Sequence, residues 1–322
     1  ELTERFYKDL EFGTGGLRAI LGNGQNRINK YTIRKATQAL CNTIIQNNSG
    51  SLSIAICYDS RKFSKEFSEE VAGVCAANNI KSYIYKTLNP VCMLSFAVRH
   101  FNCQAGIMVT ASHNPPKYNG YKVYWSDGAQ VTPPFDEYVI NNYSLINSWD
   151  EIKHTEYLEA KNAKMITEIG KEVEDLYFEK LAKKYVNPKT CKVEGDQLKI
   201  VYTPIHGTGL NPCTRVLNEM GFNHVYVPEE QAAPDHRFPT VTSPNPENPE
   251  ALKLATDLMK EKNADIVFGT DPDTDRLGVA IEKNGEIFYP NGNQIGSLML
   301  HYILTNLTER NELPQKPYFV KT

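Results

Sequence analysis

The chain contains 322 residues and carries 35 Lys plus Arg against 38 Asp plus Glu, a formal net charge of −3. So small a charge excludes a protein that binds nucleic acid or an anionic membrane through bulk electrostatics. With 41% hydrophobic and 23% charged residues, the composition is that of a globular protein, and the length predicts about two domains. No apolar run approaches the roughly 20 residues of a spanning helix, and the N-terminus is charged rather than signal-like. We therefore expect a cytoplasmic protein.

Strands and helices alternate in the first half of the chain. A first helix is predicted from Thr32, taken as its N-cap, because apolar residues from Ile33 to Ile44 recur on one helical face. Strand-like segments then follow at 53–59, 81–86, 105–111 and 120–125, with helical segments at 65–79 and 93–101 between them. The order after the first helix is β-α-β-α-β-β.

The same order returns after a charged, mostly helical stretch at 150–184. Strands are predicted at 198–204, 224–228, 264–270 and 277–282, and helices at 210–220 and 247–263. Lys283-Asn284-Gly285 predicts a hairpin turn into a last strand at 286–290, since glycine accepts a positive φ. Helical crossovers predict parallel strands, and short connections predict antiparallel ones. The predicted fold is α/β, with tandem similar domains, each a mixed, mostly parallel sheet flanked by helices.

An unusual polar segment follows the third strand of the first unit. It reads Thr110-Ala111-Ser112-His113-Asn114-Pro115-Pro116. Ligands of such sheets bind beyond the carboxyl ends of the strands, which is where this segment lies. A polar surface turn is the alternative, because Ser, Asn and Pro are ordinary turn residues. The neighbouring Ser and His do not indicate a catalytic triad, since adjacent side chains diverge and no orienting acid is apparent.

A second polar segment, Gly269 to Arg276, follows the third strand of the second unit. Its carboxylates Asp271, Asp273 and Asp275 recur at every second position, and like charges this close repel each other. A folded loop that holds them together predicts a hard divalent cation with oxygen ligands. The alternative is a solvated acidic turn that Arg276 partly neutralises.

A calcium-binding EF-hand is the rival metal site for these carboxylates. The three aspartates and Glu282 fit positions 1, 3, 5 and 12 of that loop. Position 6 requires glycine but holds Arg276, and the flanking segments are strand-like rather than helical. The sequence therefore disfavours an EF-hand.

Two glycine-rich segments are weaker indications of a phosphate site. Phe12-Gly13-Thr14-Gly15-Gly16-Leu17-Arg18 could offer backbone amides and a guanidinium to a phosphate. It lacks the Gly-Lys-Ser/Thr ending of a P-loop and no strand precedes it, so a flexible N-terminal turn is the favoured interpretation. His206-Gly207-Thr208-Gly209 is predicted to be either a packed turn or an anion site at the start of a helix.

Taken together, four segments resemble the α-D-phosphohexomutase superfamily. They are T-A-S-H-N-P around Ser112, the D-P-D-T-D-R loop, F-G-T-G-G-L-R, and Tyr58-Asp59-Ser60-Arg61. Their order and spacing agree with the superfamily from about Phe12 to Thr322, and within it the chain is similar to the phosphoglucomutase type that includes phosphopentomutases. The resemblance implies residues 1–150 as a first domain with the phosphoserine loop, 151–290 as a second with the metal loop, and 291–322 as the start of a truncated third.

The resemblance also implies the chemistry of the site. Ser112 would carry the phosphoryl group, and one Mg²⁺ would lie between Asp271, Asp273, Asp275 and a phosphoserine oxygen. Lys122 would transfer protons, and a neighbouring cation or burial could lower its pKa.

Further roles follow from the same resemblance. Arg18 matches the active-site arginine of the first loop, Arg276 would approach the phosphate, and Lys321 matches a lysine of the third domain. His113 would either hold the serine loop by hydrogen bonds, the favoured role, or transfer a proton.

The implied function is that of a phosphoglucomutase, an isomerase that moves phosphate between C1 and C6 of glucose phosphate through glucose 1,6-bisphosphate. A phosphopentomutase, a phosphomannomutase and a catalytically silent metal- or phosphosugar-binding fragment remain alternatives. A phosphatase is disfavoured, because aspartyl-phosphate enzymes use one nucleophilic aspartate. The expected partner is a small sugar phosphate, and no obligate protein partner is evident. Without a sugar-reading loop or a C-terminal phosphate-binding domain, we expect this chain to bind metal and carry phosphoserine but to turn over poorly.

Overall fold

Two β-sheets flanked by helices form the computed structural model, which describes residues 1–13 and 15–320. We call the part that carries the first sheet the first unit and the part that carries the second sheet the second unit. The first unit and the segment that follows it contain strands β1 (Gly16–Ile20), β2 (Ser53–Tyr58), β3 (Lys81–Tyr85), β4 (Ala105–Val109), β5 (Tyr118–Trp125) and β6 (Ile166–Ile169), and helices α1 (Leu2–Phe6), α2 (Lys30–Asn47), α3 (Ser64–Ala77), α4 (Val91–His100), α5 (Phe135–Leu145), α6 (Tyr157–Asn162), α7 (Lys171–Ala182) and α8 (Pro188–Glu194).

The first sheet has the strand order β1-β5-β4-β2-β3-β6. Strands β4, β2, β3 and β6 are parallel neighbours, and β5 and β1 are added antiparallel at one edge. Helices cover both faces: side chains of β2 alternate between a core shared with α2, α3 and α5 and a core shared with α4 and α7. Because β4 is covered on both sides, all five of its residues are buried and polar segments are confined to its ends.

The second unit and the segment after it contain strands β7 (Lys199–Thr203), β8 (His224–Tyr226), β9 (Ile266–Thr270), β10 (Leu277–Lys283) and β11 (Glu286–Phe288), and helices α9 (Leu210–Glu219), α10 (Glu229–Ala232), α11 (Lys253–Lys262) and α12 (Gly292–Glu309). The second sheet repeats the mixed arrangement of the first with five strands in the order β11-β10-β9-β7-β8. Its parallel strands β8, β7 and β9 are followed by the antiparallel β10 and β11, and α11 packs on one face through Ala255 and Met259.

The predicted class, two tandem mixed α/β sheets flanked by helices, is confirmed. The hairpin is confirmed too, since Asn284 and Gly285 both have positive φ and connect the paired residues Lys283 and Glu286. Helix α2 begins earlier than predicted, with Asn29 as its N-cap: Asn29 accepts from the amide of Thr32, whose hydroxyl accepts from the Asn29 amide. This capping box places Thr32 inside the first turn.

Two strands of the first sheet were not predicted. β1 begins in the glycine-rich segment and extends beyond it to Ile20, and β6 lies in the stretch predicted to be mostly helical. Strand β6 pairs in parallel with β3, so the first sheet takes a strand from beyond residue 150. Among residues 1–13 and 15–320, no helix combines the length and the apolar composition needed to cross a bilayer.

Candidate active site

Ser112 lies in a tight loop that leaves the carboxyl end of β4. Its backbone has a φ of 51°, a left-handed conformation that a residue with a Cβ rarely adopts. The amide of Ser112 donates to Oγ1 of Thr110 at 2.8 Å, and the side chain is only 3% exposed. The serine is therefore held in a fixed orientation inside the protein, which disfavours the surface-turn interpretation.

The hydroxyl of Ser112 faces the second unit. Its Oγ donates to Oδ2 of Asp271 at 2.7 Å and lies 3.2 Å from Nδ1 of His113. The carbonyl of His113 accepts from Oγ of Ser243 at 2.5 Å. Two contacts from the second unit thus meet two consecutive residues of the serine loop.

The three aspartates lie in the loop between the antiparallel strands β9 and β10. One carboxylate oxygen from each of Asp271, Asp273 and Asp275 lies within 4.8 Å of the others. Asp271 and Asp273 are fully buried, which disfavours a solvated acidic turn, and the flanking strands confirm that the loop is not an EF-hand. Oδ1 of Asp271 accepts from the amides of Asp275 and Arg276, both at 3.1 Å, and these bonds fix its orientation.

The electrostatics of this loop suit a cation. Burial raises the pKa of Asp271, and the carboxylates of Asp273 and Asp275 raise it further. Burial opposes the charge of Asp273, but the ammonium of Lys122 and hydrogen bonds from Asp271 and Lys122 together hold the pKa of Asp273 below its usual value. Oδ1 of Asp273 is buried and has no hydrogen-bond partner among the described residues. An unpartnered buried oxygen beside two further carboxylates is a donor set for a hard metal ion, and the cluster could hold one.

Lys122 extends from β5 toward the same carboxylates. Its Nζ lies 2.7 Å from Oδ2 of Asp273 and 3.2 Å from Oδ2 of Asp275. Burial alone would lower the pKa of Lys122, but the two aspartates raise it above its ordinary value. The expected lowering is therefore wrong for this arrangement: Lys122 is an ammonium ion here.

Arg18 lies on β1, one strand away from Lys122. In the sheet it pairs with Gly120, and its Nη1 donates to Oδ1 of Asn114 in the serine loop at 3.0 Å. From Gly16 onward the glycine-rich segment is thus a strand rather than a flexible turn. Gly16 has a φ of 141° and lies against the backbone of Tyr121, where a Cβ would collide with the carbonyl oxygen.

His113 and Arg276 stand at the edge of the site. Burial, followed by the nearby cations Arg276 and Arg18, lowers the pKa of His113, so its ring is neutral near pH 7 and able to hydrogen-bond. Nη1 of Arg276 lies 3.9 Å from Oε1 of Glu247. Lys321 lies outside the described residues.

The segment from His206 to Gly209 is a packed turn. Oγ1 of Thr208 donates to the carbonyl of Pro272 at 2.9 Å, and a Cβ on Gly207 would meet Cα of Pro272 at 2.5 Å. Nε2 of His206 lies 2.9 Å from the hydroxyl of Thr240. Through these contacts with Pro272, the segment supports the aspartate loop.

Sequence reasoning missed the functional contacts of Arg61 and Ser243. Both act on the backbone of the serine loop, Arg61 from the turn after β2 and Ser243 from a loop of the second unit. The Asp-Ser-Arg sequence directly after a buried strand was a signal for Arg61, whereas Ser243 lies in an ordinary Ser-Pro-Asn turn that carries none.

Known proteins match most of the chain. The phosphoglucomutase/phosphomannomutase alpha/beta/alpha domain I model matches residues 9–148, and the domain II model matches residues 175–285. Phosphoglucomutases of Staphylococcus aureus strains USA300 and MRSA252 are each 38% identical over 303 residues, which is 94% of this chain and 53% of the relative. The chain therefore spans about half the length of these curated relatives.

Solved structures share the fold. A phosphoglucomutase/phosphomannomutase family protein from Burkholderia thailandensis superposes with a TM-score of 0.66 at 22% identity, over 93% of this chain and 59% of that one. The open form of pp63/parafusin, a phosphoglucomutase from Paramecium, gives 0.64 at 17% identity, over 85% and 54%. With both domain models matched in order and the serine and aspartate loops meeting between the two units, the chain belongs to the phosphoglucomutase/phosphomannomutase family.

Proposed function

We propose that this chain provides the phosphoryl-carrying half of a phosphoglucomutase active site, with Ser112 as the residue that carries the phosphoryl group. The observation that carries the proposal is the contact of a buried serine hydroxyl with a cluster of three carboxylates, at 2.7 Å from Asp271. A phosphoryl group on Ser112 places negative charge beside that cluster. A cation between the phosphoryl group and the carboxylates offsets their mutual repulsion.

The residues present fit Mg²⁺, and we propose that Asp271, Asp273, Asp275 and an oxygen of phosphorylated Ser112 hold it. All are hard oxygen donors, and Oδ1 of Asp273 is buried without another partner among the residues that the structure describes. When bound, the ion supplies charge neutralisation of the transferring phosphoryl group.

Each side chain of the site then has its own role in phosphoryl transfer. In the unphosphorylated chain, the Ser112 hydroxyl donates a hydrogen bond to Asp271. This carboxylate is therefore placed to accept the hydroxyl proton when Oγ attacks phosphorus. In the reverse direction, a sugar hydroxyl attacks the phosphorus of phosphoserine, the bond from phosphorus to Oγ breaks, and the hydroxyl proton must be removed. We assign proton transfer to Lys122: its ammonium donates a proton to the sugar oxygen when the phosphoryl group moves to Ser112, and the amine so formed takes up the proton of the sugar hydroxyl in the reverse direction. Phosphate binding is assigned to Arg18 and Arg276. His113 holds the serine loop through its ring and its carbonyl.

The proposed substrate pair is glucose 1-phosphate and glucose 6-phosphate, with glucose 1,6-bisphosphate as intermediate and activator. The support is the similarity to phosphoglucomutases over 94% of this chain. Pentose and mannose phosphates are the alternatives within the family.

A peptide-resolved mass spectrum tests the proposal. The purified chain is incubated with Mg²⁺ and glucose 1,6-bisphosphate, and parallel samples receive the bisphosphates of mannose and ribose. We expect Ser112 to gain one phosphate, fastest from the glucose compound, and Ser112→Ala to gain none. The matched control Ser95→Ala removes a hydroxyl from α4, away from the site, and should be phosphorylated like the unchanged chain. Phosphate elsewhere, or its persistence in Ser112→Ala, would contradict the proposal.

The second candidate, a silent module that binds metal or phosphosugar, gives a different result in the same experiment. Titration calorimetry would detect Mg²⁺ or bisphosphate binding, yet Ser112 would stay unmodified at every concentration.

A further inference from the structure

Arg61 occupies a central position under the serine loop. It follows β2 by three residues and is only 3% exposed. Its guanidinium donates to four carbonyl oxygens of one loop, with distances of 2.5 Å to Ser112, 3.1 Å to Pro115 and 3.0 Å to Tyr118, and a further contact to Asn114. Because a guanidinium presents its donors in a rigid plane, these four carbonyls are held in a fixed arrangement.

Asp59 connects the same arginine to the amide of the serine. Nε of Arg61 lies 3.4 Å from Oδ2 of Asp59, and both side chains are inaccessible to solvent. That oxygen accepts from Oγ1 of Thr110 at 2.6 Å, and Thr110 in turn accepts from the amide of Ser112 at 2.8 Å. The other oxygen, Oδ1, accepts from the amide of Arg61 and the hydroxyl of Ser64, so the carboxylate is fully engaged.

Hydrogen bonds thus hold the backbone of Ser112 on both sides of its α-carbon. Its amide is held through Thr110 and Asp59, and its carbonyl is held by Arg61. Between these two anchors the residue has a φ of 51°, which is unfavourable for serine and persists only where the surroundings impose it. That conformation directs Oγ at Asp271.

The second unit covers the face of the arginine. The guanidinium carbon of Arg61 lies 5.0 Å from the ring centre of Phe238, which is 1% exposed. The nearby ring helps to exclude water from the guanidinium, which strengthens the hydrogen bonds of Arg61 to the loop.

We propose that Arg61 is a positioning residue for phosphoryl transfer: with Asp59 and Thr110 it imposes the left-handed conformation that aims the Ser112 hydroxyl at the metal cluster. Arg61 touches neither the substrate nor the transferring group. It acts through the serine backbone, and its loss misdirects Oγ without removing any group that reacts. The inference rests on the proposed role of Ser112 as phosphoryl carrier.

The test measures how fast Ser112 gains phosphate from glucose 1,6-bisphosphate at saturating Mg²⁺. Arg61→Lys keeps the charge beside Asp59 but cannot reach four carbonyls at once. We expect its first-order rate constant to fall at least tenfold, since a displacement of about 1 Å costs about 100-fold in a well-oriented reaction. The half-saturating bisphosphate concentration and the Mg²⁺ affinity should change less than about threefold, because no binding group is lost. Arg34→Lys is the matched control: Arg34 forms a 2.5 Å ion pair with Glu70 in the same unit, away from the serine loop.

Thr110 supplies a second, independent variant pair. Thr110→Val removes the hydroxyl that joins Asp59 to the Ser112 amide and should slow phosphorylation in the same way, while Thr110→Ser restores most of the lost rate. This pair decides the matter if Arg61→Lys does not fold. Folded Arg61→Lys and Thr110→Val variants with the rate of the unchanged chain overturn the positioning role. Failure of the unchanged chain to gain any phosphate refutes instead the proposed function on which the role depends.

Discussion

The Oγ atom of Ser112 lies 2.7 Å from Oδ2 of Asp271, although the two residues are 159 positions apart in the chain. The serine belongs to the first sheet and the aspartate to the second. Because one hydrogen bond joins the Ser112 hydroxyl to the carboxylate cluster, a change in the charge of the cluster also changes the strength of that hydrogen bond.

Replacement of Lys122 by methionine should tighten Mg²⁺ binding severalfold. The ammonium lies 2.7 Å from Asp273 and competes with a metal ion for its carboxylate, so its removal leaves more negative charge for the ion. Titration calorimetry near pH 7.5 measures the affinity. Lys81→Met, on β3 of the same sheet but away from the cluster, should leave it unchanged. A weaker affinity in Lys122→Met would show that the lysine does not compete.

The metal-free chain should lose stability as the pH rises, relative to an Asp271→Asn variant. Burial, together with the nearby carboxylates of Asp273 and Asp275, raises the pKa of Asp271 to about 9, against an ordinary value of 3.8. The folded chain therefore holds this proton more tightly than the unfolded chain, and the resulting stabilisation, complete below about pH 4, is lost progressively toward pH 9. Asparagine does not titrate, so its variant lacks this dependence. Urea unfolding at several pH values in a chelator measures the difference, and a constant difference would contradict the prediction.

Glycine at position 112 should give a more stable protein than alanine there, by roughly 1 kcal/mol. The φ of 51° penalises a Cβ but not glycine. The same pair at Ser95, inside helix α4, should show the opposite order, because alanine favours a helix. Urea unfolding of the four variants compares them, and the same order at both positions would mean that the backbone of Ser112 is not strained.

Gly207→Ala should weaken Mg²⁺ binding by about tenfold or more. The added Cβ would meet Cα of Pro272 at 2.5 Å and its carbonyl oxygen at 2.9 Å, which forces the aspartate loop to move. A displaced metal loop loses the geometry of its ligands. Gly292→Ala, where the Cβ meets nothing within 4 Å, is the control. Unchanged affinity in Gly207→Ala, measured by calorimetry, would show that the loop adapts.

Strands that lie inside a sheet were predictable from the sequence because burial on both faces requires continuous apolar runs. The residues from Ala105 to Val109 form such a run. The edge strands were not predictable in this way. Gly16–Ile20 contains a glycine and an arginine, and Ile166–Ile169 has only four residues within a charged stretch. These segments form strands because each pairs with a neighbouring strand. The local sequence pattern carries no information about that neighbour.

The same distinction applies to the candidate site: its local residue clusters were predictable from the sequence, whereas the contacts between distant residues were not. Ser112 and the aspartate triad were evident as local clusters of polar residues, and the structure brings them together. The pKa of Lys122 was predicted in the wrong direction because the carboxylates that raise it lie 151 and 153 positions away. A local sequence predicts which residue types are present, whereas their protonation depends on residues that only the tertiary fold supplies.

The contacts between the two units have a consequence for the order of events during synthesis. The first unit leaves the ribosome before Phe238, Ser243 and Asp271 have been made, so its serine loop initially lacks every one of these partners. Early in translation Arg61 can engage the loop carbonyls, but the hydroxyl has no carboxylate to meet. The contact between Ser112 and the carboxylate cluster therefore forms only when the second unit folds onto the first. With the proposed role of Ser112, the chain gains the ability to accept phosphate at that stage.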